Sequence, residues 1–207
     1  MARPTLRSKK PVQSRAKETV RAILEATEIL LRTETAETLK LREVVKKAGV
    51  ATGTFYEYFP SKEVLLRALE ERSWARAAER VAEVVEARRD DALDDAIVDI
   101  VATAMREMVI AARAHGIDPS SGHIEEVVAY GRRVALVVQG ILETRRSEVI
   151  DGDLALASRI VVETVAMLIF VGERDHKGAM ESGEYPRAVG VMIARFLSKH
   201  PRAALAR

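Results

Sequence analysis

Apolar residues recur along this chain with the period of an α-helix and almost nowhere with the period of a strand. Val20, Ile23, Leu24, Thr27, Leu30 and Leu31 fall on one helical face. The same three- and four-residue spacing returns at Val64, Leu65 and Leu69, and again at Leu93, Ile97, Ile100, Val101, Ala104, Met108 and Ala111. Strand alternation does not persist beyond about four residues, and no internal repeat is present. Composition points the same way. Ala, Glu, Arg, Leu and Val dominate and aromatics are only 4%, which favours helices over a sandwich or barrel. The expected fold class is all-α, with an N-terminal three-helix unit and a larger helical body.

Turn residues divide the pattern. Helices are expected over 15–32, 40–48, 52–59, 61–88, 92–114, 123–149, 152–174 and 184–199. Gly49 closes one, Pro60 and Ser61 break and restart the chain, and His115 to Gly122 reads as a loop. Residues 1–13 carry two prolines and four basic residues, Arg3, Arg7, Lys9 and Lys10, with no acid. They read as a disordered basic arm, able to follow a nucleic-acid backbone or to remain a solvated tail.

The 207 residues suffice for one or two domains, and 48% apolar with 31% charged residues fits a globular protein. With no cysteine, a disulfide framework, a thiolate metal site and a Cys nucleophile are excluded. The basic N-terminus lacks the apolar core of a secretory signal, and no uninterrupted apolar stretch reads as a membrane span, so a cytoplasmic location is expected. The net charge of +2 hides an asymmetry: residues 1–60 hold 12 Lys and Arg against 7 Asp and Glu, while residues 61–207 are net acidic. A basic end on an acidic body suits a polyanionic partner.

Within the basic third, two short helices flank Gly49, as in a helix-turn-helix. The first would brace the second, and the second must offer polar and aromatic groups to phosphates and base edges. Phe55 and Phe59, four apart, can anchor inward beside Val50. That leaves Thr52, Thr54, Tyr56 and Tyr58 for the outer or flanking faces. Gly53 costs a helix about 1 kcal/mol relative to Ala, which a close approach of backbone to DNA would explain. The same residues also suit a tight helix–helix corner with Tyr56 and Tyr58 at the core rim.

The stretch from Val44 to Leu65, with Ala48-Gly49-Val50, Gly53-Thr54, Tyr56, Tyr58-Phe59 and Ser61-Lys62-Glu63 in register, resembles the signature of TetR-family transcriptional regulators. The resemblance covers about residues 15–70 and implies a DNA-binding domain over 14–77, with its helix-turn-helix at 40–59, and a ligand-binding and dimerisation domain over 78–207. It implies a homodimeric repressor released from a palindromic operator by a small-molecule effector. An all-helical ligand-binding or interaction protein without operator binding is the alternative. Carried over by position, the DNA-contacting residues are Lys40, Arg42, Thr52, Gly53, Thr54, Tyr56, Tyr58 and Lys62.

Three positions depart from that signature. Ala51 replaces the Ser that caps the recognition helix, so Thr52 takes over or the helix starts uncapped. Lys40 stands at the cap of the bracing helix and can reach a phosphate instead. Thr35-Ala36 replaces a Gly-aromatic pair. A β-branched residue is poor at positive φ, so that connection is expected to be shaped differently.

The body offers no nucleophile–base pair and no metal or phosphate motif, so neither an enzyme nor a cofactor is expected. Its last two long helices are apolar on more than one side and need a second burial partner. Ile160, Val161, Thr164, Leu168, Val189, Met192 and Phe196 are the expected dimer interface. Trp74, Met105, Met108, Tyr130, Arg133, Val137, Met167 and Phe170 are expected around an effector, with Val109, Val134, Arg132 and Glu163 as further candidates. Ordinary core packing is the other reading of this second set.

Overall fold

Nine helices follow one another among the residues described by the computed structural model, which are 10–114 and 124–200, with side chains over 14–114 and 134–200. They are α1 (Lys10–Leu30), α2 (Leu41–Ala48), α3 (Thr52–Tyr58), α4 (Lys62–Ala87), α5 (Leu93–Ala114), α6 (Ile124–Thr144), α7 (Leu154–Asp175), α8 (Lys177–Ser182) and α9 (Glu184–Leu197). No strand occurs among the described residues. An antiparallel bridge joins Val149 to Ser198. The fold is all-α, as the periodicity requires. Residues 1–9 of the basic arm and the 115–122 loop lie outside the described residues.

Some boundaries differ from those read in the sequence, for local reasons. The first helix starts at Lys10, inside the segment expected to be disordered. Pro11 lies in its first turn, where a missing backbone N–H removes no helical bond. The sixth helix stops at Thr144 because the chain then pairs elsewhere. Ile150 N–H donates to the Leu197 carbonyl at 2.8 Å, and Lys199 N–H to the Glu148 carbonyl at 2.9 Å. The six-residue α8 has no sequence signal of its own. Its Met180 is buried, held against Gly172 of the preceding helix.

The described residues fall into two compact units, one holding residues up to Ser73 together with Arg113 and Ala114 at the end of α5, and the other running from Trp74 to Ala112 and over the rest of the described chain, so the division lies within α4. In the first, Ile23 and Leu24 of α1, Val44 of α2, Phe55 of α3 and Leu65 and Leu69 of α4 share one core. Leu39, in the connection between α1 and α2, is buried with them. Thr27 belongs to the same buried face, and its hydroxyl donates to the Ile23 carbonyl at 2.8 Å. Across this unit Arg72 pairs with Glu28 at 3.0 Å and donates to the Arg21 carbonyl at 3.3 Å, tying α4 to α1.

In the second unit, α5, α6, α7 and α9 enclose another core. Asp153 caps α7, its carboxylate accepting from Ala155 and Leu156 N–H at 2.9 and 3.1 Å. Asp94 and Asp95 lie in the first turn of α5, their sign opposite to that end of the helix dipole. The buried Ser198 hydroxyl donates to the buried Asp94 carboxylate, fixing the end of α9 to the start of α5. By length and mean hydropathy, 2.1, α7 is the most apolar of the long helices, although Arg159 and Glu163 interrupt its run, so the expectation of no uninterrupted apolar span stands. One stripe of α7, including Ala157, Val161, Val165 and Ile169, lies in the core, whereas Leu156, Ile160 and Met167 are exposed.

Where α9 passes α5 the approach is close enough to need a glycine. A Cβ on Gly190 would lie 2.8 Å from the Val98 carbonyl oxygen and 2.9 Å from its Cα. Backbone cannot yield as a flexible side chain can. Gly190→Ala is therefore expected to destabilise the protein by about 1–3 kcal/mol through overpacking, read from urea unfolding. Stability equal to the parent would show that α9 can lift away.

Candidate nucleic-acid interface

The corner between α2 and α3 is built by its backbone. Gly49 takes φ +66°, and its N–H and that of Val50 bond back to the carbonyls of Lys46 and Val45 at 3.3 and 3.4 Å. This is the Schellman closure, which needs a left-handed residue at the glycine position. Val45 and Val50 both pack against the core, adding the apolar contact that accompanies the closure. Three residues later α3 begins.

Phe55 is 0% exposed and Phe59 is 4% exposed. Their rings stand 6.0 Å apart between centroids, and Tyr56 meets the edge of Phe55 at 5.3 Å. With one side of α3 committed to the core, the other side is set. Thr52, Gly53, Tyr56 and Glu57 are exposed, Tyr56 by 48%. Thr54 is half-buried, and Tyr58 is half-buried against the core. The recognition-helix candidates therefore do not share one face: Tyr56 points out, while Tyr58 leans on the scaffold. A Cβ on Gly53 would meet nothing within 4 Å, so internal packing does not require that glycine.

Neither short helix has a side-chain cap. Lys40 at the start of α2 and Ala51 at the start of α3 are extended residues without a capping bond. Thr52 does not take the cap position and is the first residue of α3. Lys40 and Arg42 are exposed, Arg42 lying 3.4 Å from Glu43. Lys62 opens α4, and its ammonium donates to the Glu37 carbonyl at 2.8 Å. Ser61 accepts from Val64 N–H at 3.4 Å, and its hydroxyl holds the Glu63 carboxyl below the usual carboxylate range. The connection before α2 lacks any positive-φ residue among those described. It is held by Thr35 and Thr38, each backbone N–H donating to the other's hydroxyl at 3.0 and 3.3 Å. At Thr35-Ala36 the connection is thus closed by threonine hydroxyls and needs no left-handed residue.

Residue-type reasoning missed Lys46 and Lys47, exposed in the last turn of α2, and Glu57 on the open face of α3. Two lysines ahead of a Gly-Val turn carried the first signal. Phosphates attract lysine, and a carboxylate in a groove can accept from a cytosine amino group.

The other expected sites are scattered. Met105 is fully buried and Met108 packs on the same core, whereas Val137 and Met167 are exposed. Trp74 and Phe170 are half-buried, Phe170 under the Arg174 guanidinium at 5.1 Å. Of the further candidates, Val109 is core, Val134 half-buried and Glu163 exposed. Tyr130, Arg132 and Arg133 lie outside the described side chains. Of the expected interface, Ile160, Met192 and Phe196 are exposed and Thr164 and Leu168 half-buried. Val161 and Val189 are corrected: at 5% and 6% exposure they fill their own core and cannot meet a partner.

Two helices at a closed glycine corner, the second offering its polar face, make the first unit a helix-turn-helix domain. Residues 23–69 match the family model described as bacterial regulatory proteins, tetR family, and the chain carries a TetR-family domain. Solved structures extend the likeness over most of its length. A transcriptional regulator from Cytophaga hutchinsonii ATCC 33406 aligns with TM-score 0.71 at 12% identity, covering 87% of this chain and 98% of that one. NalD, the secondary repressor of the MexAB-OprM multidrug efflux pump in Pseudomonas aeruginosa, aligns with TM-score 0.60 at 17% identity, covering 89% and 98%. A gamma-butyrolactone receptor described as an ArpA-like protein aligns with TM-score 0.53 at 22% identity, covering 87% and 96%. At such identities the likeness carries the fold. No curated protein matches in sequence.

The two faces of α3 differ measurably. Phe55→Ala is expected to cost about 3–5 kcal/mol of stability through the cavity it leaves. Gly53→Ala is expected to leave stability unchanged or raise it by up to about 1 kcal/mol. Denaturant melts of both variants check this, and a large loss on Gly53→Ala would mean that the corner needs the glycine for its own packing.

Proposed function

We propose that the protein is a sequence-specific DNA-binding transcriptional repressor that acts as a homodimer in the cytoplasm and leaves a palindromic operator when a small molecule binds. The observation that carries this reading is the division of α3 between a fully buried Phe55 and an open face of Thr52, Gly53, Tyr56 and Glu57. A helix set in this way can lie in a major groove with its backbone close at Gly53. Lys40, Arg42, Lys46, Lys47 and Lys62 supply phosphate contacts, which position the helix without reading sequence. Thr54 and Tyr58, being half-buried, reach DNA from the flank.

One recognition helix reads too few base pairs to specify a genomic site, so two must be held at a fixed spacing. The exposed apolar stripes of α7 and α9, Leu156, Ile160 and Met167 with Met192 and Phe196, supply a surface for a second copy. The effector binds in the second unit and alters the separation of the two recognition helices. The gamma-butyrolactone receptor of the same fold supports a small organic effector of hydrophobic or amphipathic character. The regulatory reading assigns the chain no catalytic step and no cofactor.

A gel shift against the chain's own upstream DNA tests the core of the proposal. Thr54→Ala with Tyr56→Ala is expected to weaken operator binding by at least about 2 kcal/mol with the fold intact. Unchanged affinity in the folded double variant would remove α3 from the interface.

The dimer is tested separately. Ile160→Glu and Phe196→Glu each place a carboxylate in the apolar stripe, where an unpaired charge is costly on burial. A folded monomer with lost operator binding is expected from sedimentation and circular dichroism. A folded dimer with full binding would show that the partner covers neither residue.

A further inference from the structure

We propose that Lys62 is a positioning residue, whose ammonium fixes the connection that delivers α2 while presenting the same charge to a DNA phosphate. Both recognition elements start without a side-chain cap, so other contacts must set where the bracing helix begins. In the connection, Thr35 and Thr38 bond each other reciprocally, Thr35 also donates to the Glu37 carboxylate at 3.3 Å, and Leu39 is buried. These contacts are local and shape the turn without attaching it to another helix, except through Leu39. The Lys62 ammonium supplies the polar attachment, reaching across 25 residues of sequence to the Glu37 carbonyl at 2.8 Å.

The chemistry of the partner matters. An ammonium has three N–H donors, and the carbonyl takes one. A carbonyl is neutral, so unlike a carboxylate it does not itself cancel the ammonium charge, which stays able to meet a phosphate although the adjacent Glu63 carboxylate also feels it. The bond also holds the end of a long, rotamer-rich side chain in one place before DNA arrives, which lowers the ordering cost of binding. Lys62 thereby couples two tasks that a surface phosphate contact would keep separate. Loss of the side chain must loosen residues 35–44 in the free protein as well as remove a cation at the interface.

This inference rests on the DNA-binding reading for its second half and is independent of it for the first. The test uses the full chain with K62M and, separately, T35V with T38V. Amide hydrogen exchange across 35–44 is read without DNA, and affinity for operator and unrelated duplex is read against salt. K62M is expected to speed exchange in that stretch about tenfold, the loss of one charge-assisted bond, and to lower the salt slope by about one. The double threonine variant is expected to speed the same exchange and weaken operator binding with the slope unchanged. Unchanged exchange in K62M overturns the positioning role, and so does faster exchange in the threonine variant with full operator affinity. If K62M fails to fold, K62A is measured in its place, and unchanged exchange across 35–44 there overturns the positioning role. If the parent binds no DNA, the functional reading fails, while exchange in K62M still decides whether the anchor exists.

Discussion

Phe55 is enclosed on every side by α1, α2, α4 and the neighbouring Phe59, and the arrangement of the first unit follows from that enclosure. A seven-residue helix is far below the length at which helices hold themselves together in water, and this one has no cap. Its persistence therefore depends on tertiary burial, and burying one aromatic side chain contributes on the order of 1.5–3 kcal/mol. The same burial fixes the rotation of α3 about its axis. Once Phe55 points inward, Tyr56 must point outward. The open face of α3 is thus a consequence of packing rather than a separately stabilised feature.

The second unit obeys a different constraint. Its α7 is apolar around much of its circumference, and one protomer covers only part of that surface. The covered stripe belongs to the core with Val161 and Val165, while Ile160 and Met167 stay in contact with solvent. A 22-residue helix with this distribution leaves an apolar stripe open in one chain, and that stripe is the surface the proposed homodimer would cover.

The helical plan was legible from periodicity because one-sided burial prints itself on spacing, as in α1 and α5. The inward anchors Phe55 and Phe59 were legible for the same reason. Legibility failed where long-range pairing overrode local signals. Nothing near Thr144 announces the end of α6, which is set by pairing with residues some fifty positions later. The two-sided α7 also misled. Spacing alone does not say which apolar side faces its own core, so Val161 and Val189 were grouped with Ile160 and Phe196. Lys62 was readable as a cation at a helix start, but its bond to Glu37 joins segments 25 residues apart and leaves no trace in sequence.

Gly190 gives the body a mechanical character. Where α9 crosses α5 the two main chains touch at Val98, and a contact of backbone on backbone has no rotamers through which to relax. The Ser198–Asp94 bond joins the same two helices at a second place. A pair of rods held at two points cannot pivot about either, so α5 and α9 behave as one stiff piece and any rearrangement of this unit must move them together.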